Sequence, residues 1–369
     1  MVLTLALMAA ACGGADDGSD TAGGEATDPA AADATSEADE APAGDEQADQ
    51  QPVALVVAQG GLGDESYNDL ANSGFTAGQE ATGLEGRAIE SDDIVAQGEQ
   101  VLRRAAQSDF GLVVDLEFSH GEILGPIAQE FPDVNWAILN TVVDGPNVAS
   151  ILFEEQQGSY LAGALAAMMT AETGNPKVNP EKVIGVIGGT KSTGIDKFIV
   201  GYIQGAQDFD AEVEVLTSYT DDFGDPAKGK QQAEAMFEQG ADIVYHVAGG
   251  TGAGVIEAAA EADRYAIGVD TDQDGLAPGN VLTSMIKRTD VAVQTVMEDY
   301  AGGGFPGGET INLGLADDGV GLSEFAHTRE EIPEGHLEHI DELTQQIIDG
   351  EIEVWNVIDQ GYPDFYEGS

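Results

Sequence analysis

The chain has 369 residues, 42% of them hydrophobic, and carries 68 Asp and Glu against 13 Lys and Arg, a formal net charge of −55. That balance excludes a nucleic-acid partner, whose phosphates must be met by a basic surface. The length suggests two domains, and no apolar run reaches the roughly 18 residues that a membrane-spanning helix needs.

Taken in order, Val2 to Ala11 is apolar and ends in Ala9-Ala10-Ala11, directly before Cys12. Cys12 is the single cysteine, so no internal disulfide can form. Small residues before a lone Cys, with a polar stretch after it, are similar to a lipoprotein signal peptide. Residues 1–12 are therefore expected to be a leader, with Cys12 as the lipidation site. Its acyl chains would hold the protein to the extracytoplasmic face of the cell membrane. Residues 13–51 contain no Lys or Arg and almost no large apolar side chain, and are expected to form a disordered acidic tether. The acidity continues past the tether into the patterned remainder. In dilute buffer so acidic a domain strains against its own repulsion. At molar salt, where the Debye length is about 3 Å, that repulsion is screened. A protein adapted to high salt, outside a halophilic or haloalkaliphilic cell, is expected, with an ordinary acidic bias the alternative.

Ordered structure is expected from a strand over residues 53–57. Residues 59–68 then open a helix that runs through Ala81. Strands follow at 111–115, 135–140 and 148–153, with helices over 93–107 and 121–130 between them. Connections long enough for a helix make the sheet parallel. A break at 153–158 leads into a helix of small residues over 160–171, suited to close packing. The pattern then restarts with strand 182–187, Gly188-Gly189, helix 194–208, strand 213–217 and helix 226–239. Next, Ile243, Val244, Tyr245 and Val247 meet Gly249-Gly250-Thr251-Gly252, Val255, Ile256 and Ala259 recur at helical spacing, and a second apolar run ends on Asp270. This is a strand–turn–helix–strand unit with its turn and Asp270 at the carboxyl edge of the sheet, where open α/β sheets bind ligands. Three strand-to-Gly-Gly junctions, at 60–61, 188–189 and 249–250, point to two lobes of one architecture with a cleft between them. The chain is expected to recross near 282–285 and 311–315, with a helix over 290–300. Residues 336–348 and 354–358 then close the second lobe.

The sequence carries no catalytic signature. The five His show no metal-ligand spacing, and no G-x-S-x-G elbow, H-E-x-x-H or P-loop is present. Carboxylate pairs are too frequent for any one of them to be informative. The glycines after Val247 do not form G-x-G-x-x-G, because Val255 stands where the last glycine belongs. No enzyme activity, cofactor or metal is expected.

The strings VAGGTGAGVIEAA (247–259), AIGVDTDQDGLAPGNVLTSMIKR (266–288) and DPAKGK (225–230) resemble the basic membrane protein family. These are substrate-binding lipoproteins of ABC importers, similar to purine nucleoside receptors. The similarity runs from about Pro52 to Phe325. It implies an α/β type I periplasmic-binding-protein fold, two doubly wound parallel-sheet lobes joined by a three-crossover hinge. One lobe would comprise 52–150 with 285–311, the other 151–284 with 312–369.

The resemblance also implies a site fed by loops of both lobes. A family motif similar to D-x-S-F-N stands here as Asp64-Glu65-Ser66-Tyr67-Asn68. Tyr67 keeps a stacking face and adds a hydroxyl; Asp64, Tyr67 and Asn68 are candidate ligand contacts, with helix capping the alternative for Asp64 and Ser66. A second motif, G-F-x-x-x-D, matches Phe118 as its aromatic and Glu122 as the base-reading carboxylate. Glu117 replaces the glycine there, and His120 has no counterpart; a solvated Glu122 is the alternative. Asp270 is expected to accept from ribose hydroxyls, and Lys287 to match a lysine at the inter-lobe crossing. Gly249 and Gly250 would let the backbone approach a ligand closely. Phe198 and Phe223 are further aromatic candidates, Phe198 more readily as core. The implied protein is a lipid-anchored receptor that closes on a neutral purine nucleoside and delivers it to an ABC permease and ATPase complex. A receptor for a sugar or riboflavin-like metabolite, or a membrane-anchored ligand sensor, is the alternative.

Overall fold

The computed structural model describes residues 51–366; the expected leader, Cys12 and nearly all of the acidic tether lie outside these residues. The first sheet begins with β1 (Val53–Val56), whose four residues are all buried, as expected for a strand covered on both faces. Helix α1 (Tyr67–Thr82) follows and ends at Gly83, which adopts the left-handed conformation (φ 75°) that glycine takes without strain. Next come β2 (Gly86–Ile89), α2 (Ile94–Ala106), β3 (Leu112–Asp115), α3 (Gly121–Glu130), β4 (Asn135–Leu139) and β5 (Val148–Phe153). These strands pair in parallel in the order β5-β4-β3-β1-β2.

A second sheet repeats the plan. Helix α4 (Glu155–Thr170) leads into β6 (Val183–Gly188), α5 (Thr193–Phe209), β7 (Glu214–Tyr219), α6 (Pro226–Glu238), β8 (Ala241–Val247), α7 (Gly252–Ala262), β9 (Tyr265–Asp270) and β10 (Val281–Lys287). The chain then returns: α8 (Thr289–Ala301) packs on α1, and β11 (Thr310–Leu313) joins the first sheet beside β5. It crosses once more to β12 (Val320–Leu322), antiparallel to β10, and ends with α9 (Glu334–Ile348) and α10 (Val357–Gln360) on the second lobe. The second sheet reads β12-β10-β9-β8-β6-β7.

Three features depart from the sequence reading. β2 was not legible: Gly86-Arg87-Ala88-Ile89 is a short, half-exposed edge strand with neither a continuous apolar run nor clean alternation. β12 makes the second sheet mixed, since it adds one antiparallel edge to parallel strands. The sheet changes also fall later than the 150/151, 284/285 and 311/312 divisions, because β5, β10 and β11 keep their ladder pairing through Phe153, Lys287 and Leu313. Residues 285–287 thus belong to the second sheet.

The small-residue helix packs as its composition implies. α4 is buried on nearly every face, and a Cβ on Gly163 would lie 2.0 Å from the Tyr202 carbonyl oxygen on α5. From the other side, Cβ atoms on Gly201 and Gly205 would lie 2.4 Å and 2.0 Å from the carbonyl oxygens of Gln156 and Tyr160. Only glycine permits such backbone contact. The two helices therefore sit as one layer, with Glu155 at the start of α4 and Lys197 and Phe198 on α5 both facing the cleft.

Candidate functional site

The carboxyl ends of the two sheets face one cavity, which encloses ≈ 740 Å³ of non-atom space, its open mouth included. From the first lobe its wall takes Gln59, Asp64, Tyr67, Asn68, Glu117 and Phe118. From the second it takes Lys197, Phe198, Phe223, Gly249, Asp270 and Lys287, joined by Glu155 at the crossing between them. Seven of the nine expected contacts therefore meet in one place, Asp64, Tyr67, Asn68, Phe118, Gly249, Asp270 and Lys287, and the further aromatic candidates Phe198 and Phe223 join them. Glu122 and Gly250 do not.

The loop between β1 and α1 is built by its own polar side chains. Asp64 accepts from the amides of Ser66 (3.0 Å), Asn68 (2.9 Å) and Asp69 (3.1 Å), so it caps α1 as well as lining the cavity. Burial raises its carboxyl above the ordinary value, and those amides oppose the rise. Asn68 accepts from the Ala58 amide at 2.9 Å and donates to Asp64 at 3.0 Å and to the Gln59 carbonyl at 3.1 Å. The Tyr67 hydroxyl donates to the Leu116 carbonyl (2.9 Å) and accepts from Asn140 Nδ2 (2.8 Å), which fixes its ring in the wall.

Glu122, the carboxylate expected at the base, is not on the cavity wall. A short 3-10 turn at Phe118–His120 precedes α3, and it leaves Glu122 exposed in the first helical turn. Glu117, at the point where the chain leaves β3, is the buried carboxylate on the wall. It accepts from the Gln59 amide (3.1 Å), Gln59 Nε2 (3.3 Å) and the Ser119 amide (3.1 Å), and its own amide donates to Asp115 Oδ1 (3.1 Å). Behind it His120 Nδ1 lies 2.8 Å from Asp115 Oδ2, and Nε2 lies 3.0 Å from the Ile94 carbonyl. Burial lowers the His120 imidazole, but its bond to Asp115 and the charges of Asp115 and Glu117, with the Ile94 carbonyl, together hold it above the ordinary value. His120 thus pins the turn that presents Glu117 and Phe118.

On the second lobe Asp270 ends β9 in the left-handed region (φ 68°) and is almost wholly buried. Burial pushes its carboxyl up to about 6; Lys287 and the Ser66 hydroxyl pull it down, and Asp64 pushes it further up. The Ser66 hydroxyl donates to Asp270 Oδ2 at 2.8 Å, a bond between the lobes. A second bridge runs from Gln273 Nε2 to the Glu65 carbonyl at 3.0 Å. Gln273 is oriented by the Val269 amide (3.0 Å) and His246 Nε2 (2.9 Å), both at its Oε1, and burial lowers the His246 imidazole to about 4. Gly250 serves this inter-lobe contact, since its Cβ would stand 3.4 Å from the Asp64 Cα.

Lys287 is not a free cation awaiting a ligand. Its ammonium lies 2.8 Å from Glu155 Oε1 and 5.0–5.5 Å from the ring centres of Phe153, Tyr67 and Phe198. Lys197 takes the other oxygen of Glu155 at 2.5 Å and donates to the Phe153 carbonyl at 2.7 Å. Burial would raise the Glu155 carboxyl, but the two ammoniums together hold it below its ordinary value. Sequence reasoning passed over Glu117, Glu155 and Lys197. The available signal was two lysines kept near the cleft in a chain with only 13 basic residues. Among the described residues no group of His, Cys, Asp and Glu is arranged to hold a metal, and no helix is long and apolar enough to cross a membrane.

The fold has known relatives. The profile described as "ABC transporter substrate-binding protein PnrA-like" matches residues 51–356. A "CD4+ T-cell-stimulating antigen" of Listeria monocytogenes is 33% identical over 323 residues, 82% of this chain and 87% of that one. The "ABC transporter nucleoside-binding protein BmpA" of Lactococcus lactis is 32% identical over 323 residues, covering 82% and 88% of the two chains. A solved ABC transporter solute-binding protein from Aeropyrum pernix superposes with a TM-score of 0.75 at 31% identity, over 83% of this chain and 93% of that one. The chain belongs to the Bmp family, the PnrA-like substrate-binding proteins of ABC transporters, which bind a small molecule for a permease and ATPase rather than transform it.

Proposed function

We propose that the protein captures a neutral purine nucleoside between its lobes and passes it to an ABC permease. The observation that carries this reading is the joining, in one cavity, of flat aromatic faces with two buried carboxylates, Glu117 and Asp270. Tyr67, Phe118 and Phe223 offer faces for a base. Glu117 takes the role expected of Glu122: three donors orient its carboxylate, and the lone pairs they leave accept from base N–H groups. Asp270 accepts from ribose hydroxyls, and Lys287 works chiefly by holding Glu155 and screening Asp270. A neutral ligand suits so acidic a receptor, since an anionic solute would meet repulsion. Ligand contacts with both lobes favour the closed arrangement over one opened about the three crossings. The leader and acidic tether, with Cys12 lipidated, keep the receptor at the extracytoplasmic membrane face.

A thermal-shift screen of nucleosides, free bases, sugars and riboflavin in molar salt, followed by calorimetry, tests the reading. Purine nucleosides should give the largest shifts. Glu117→Gln should weaken their binding at least tenfold and Glu122→Gln should leave it unchanged. A response to sugars or riboflavin alone, or equal sensitivity at both glutamates, overturns it.

A further inference from the structure

The family match ends at residue 356, yet the chain continues along the second lobe and reaches the cavity. Gln204, on the outer flank of α5, holds the approach: its Oε1 accepts from the Trp355 amide at 2.8 Å, and its Nε2 donates to the Glu353 carbonyl at 3.2 Å. α10 then makes one turn, capped by Asn356, whose Oδ1 accepts from the Ile358 amide at 3.0 Å. Trp355 Nε1 closes the turn by donating to the Gly361 carbonyl at 2.7 Å. Beyond it the Tyr362 hydroxyl donates to Asp196 Oδ2 at 2.6 Å, the Tyr219 hydroxyl donates to Asp196 Oδ1, and the Tyr219 and Tyr366 hydroxyls lie 2.6 Å apart. The Tyr362 and Tyr366 rings stack at 5.3 Å. Asp196 is fully buried, so these hydroxyls replace the water its carboxylate would otherwise keep.

The segment is thus fastened at Gln204 and again at Asp196, roughly 12 Å apart along α5 at 1.5 Å per residue. Between the two fastenings Ile358 joins the cavity wall with Gly194 and Ile195, while 49% of it remains exposed. A large aliphatic side chain half in water at a cavity rim leaves apolar surface that a ligand can cover. Asp196 and Lys197 are consecutive on α5, so the anchor of this segment and the charge cluster on the wall share one helical turn.

We infer that the segment after residue 356 is a clasp that completes the rim of the cavity, in which Ile358 limits the size of the solute end lying at the mouth and the Tyr362–Asp196–Tyr219 bonds hold it there. The choice of probes rests on the nucleoside reading; the rim itself does not. Two extended ligands cover both orientations: N6-benzyladenosine, enlarged at the base, and 5′-O-benzoyladenosine, enlarged at the sugar. Ile358→Ala should raise the affinity for one of them at least tenfold relative to adenosine. Tyr362→Phe keeps the ring and removes one bond to Asp196, and should speed adenosine release at least threefold with a smaller change in association. Ile358 is half exposed, so Ile358→Ala should melt near the parent; Tyr362→Phe leaves one oxygen of buried Asp196 without its donor and should melt a few degrees lower, still folded at the assay temperature.

A ligand-free arm separates the two ideas. Amide hydrogen exchange over residues 195–198 should quicken at least tenfold in a chain stopped after Asn356, or in the Ile358→Ala, Tyr362→Phe double variant if loss of buried Val357 unfolds the shorter chain. Unchanged selectivity, release and exchange overturn the clasp. A parent that binds no nucleoside, while its variants exchange faster, overturns the nucleoside reading and leaves the clasp standing.

Discussion

Asp270→Asn separates two consequences of one buried carboxyl. In the folded protein burial raises this group from 3.8 to about 6. A raised acid is stabilising while protonated: the contribution is fully present below the unfolded value and is lost as pH rises through the folded one. Between pH 3.8 and about 6, therefore, ionisation of Asp270 removes up to roughly 3 kcal/mol from the ligand-free protein, at 1.36 kcal/mol per tenfold change in proton affinity. Asparagine resembles the protonated acid and still accepts from the Ser66 hydroxyl. At pH 7.5 the variant should therefore melt several degrees above the parent, and the advantage should vanish near pH 4. Its nucleoside binding should move the other way. Loss of a charged acceptor for the ribose costs about 1.5–3 kcal/mol, or roughly 10- to 150-fold in dissociation constant. Affinity for the free base, which lacks the sugar, should hardly change. The assays are melting curves from pH 4 to 8 in molar salt and calorimetry at pH 7.5. A parent–variant difference that is flat with pH would refute the argument for the buried carboxyl. Equal losses for nucleoside and base would refute its role toward ribose.

Other expectations follow from the same geometry. Glu155→Gln leaves the ammoniums of Lys197 and Lys287 buried without their shared anion, and should cost about 3–5 kcal/mol, read as a lower denaturant midpoint. The net charge of −55 predicts a melting temperature that climbs by many degrees from dilute buffer to molar salt; a flat profile sinks the high-salt reading. Cys12→Ser in the native host should shift the protein from the membrane fraction to the medium, and unchanged partition removes the lipid anchor.

What could be read from the sequence was what local pattern determines. β1 is a continuous apolar run covered on both faces, and the unit from β8 to β9 carries its strand, turn and helix signals in order. β2 has no such signal because it is an edge strand, none of whose four residues is fully buried. Near the site, Asp64 and Asn68 were legible because their partners lie within about ten residues. Glu155 was not, because its meaning comes from Lys287 on a strand more than a hundred residues away. Glu122 lies exposed, and Glu117 on the wall, for a different reason. The 3-10 turn at Phe118–His120 changes the direction in which the next side chains point, and spacing alone carries no record of it.

The glycine contact between α4 and α5 also bears on how this receptor can diverge. Positions 163, 201 and 205 face only the neighbouring helix, yet any side chain there must force the pair apart. Because Glu155 rides on one helix and Lys197 with Phe198 on the other, spreading them would detune the wall without altering a single residue that touches the solute. Drift in solute preference among descendants of this chain can therefore begin at sites a comparison of binding residues would never inspect. Selection experiments confined to the cavity lining would miss that route.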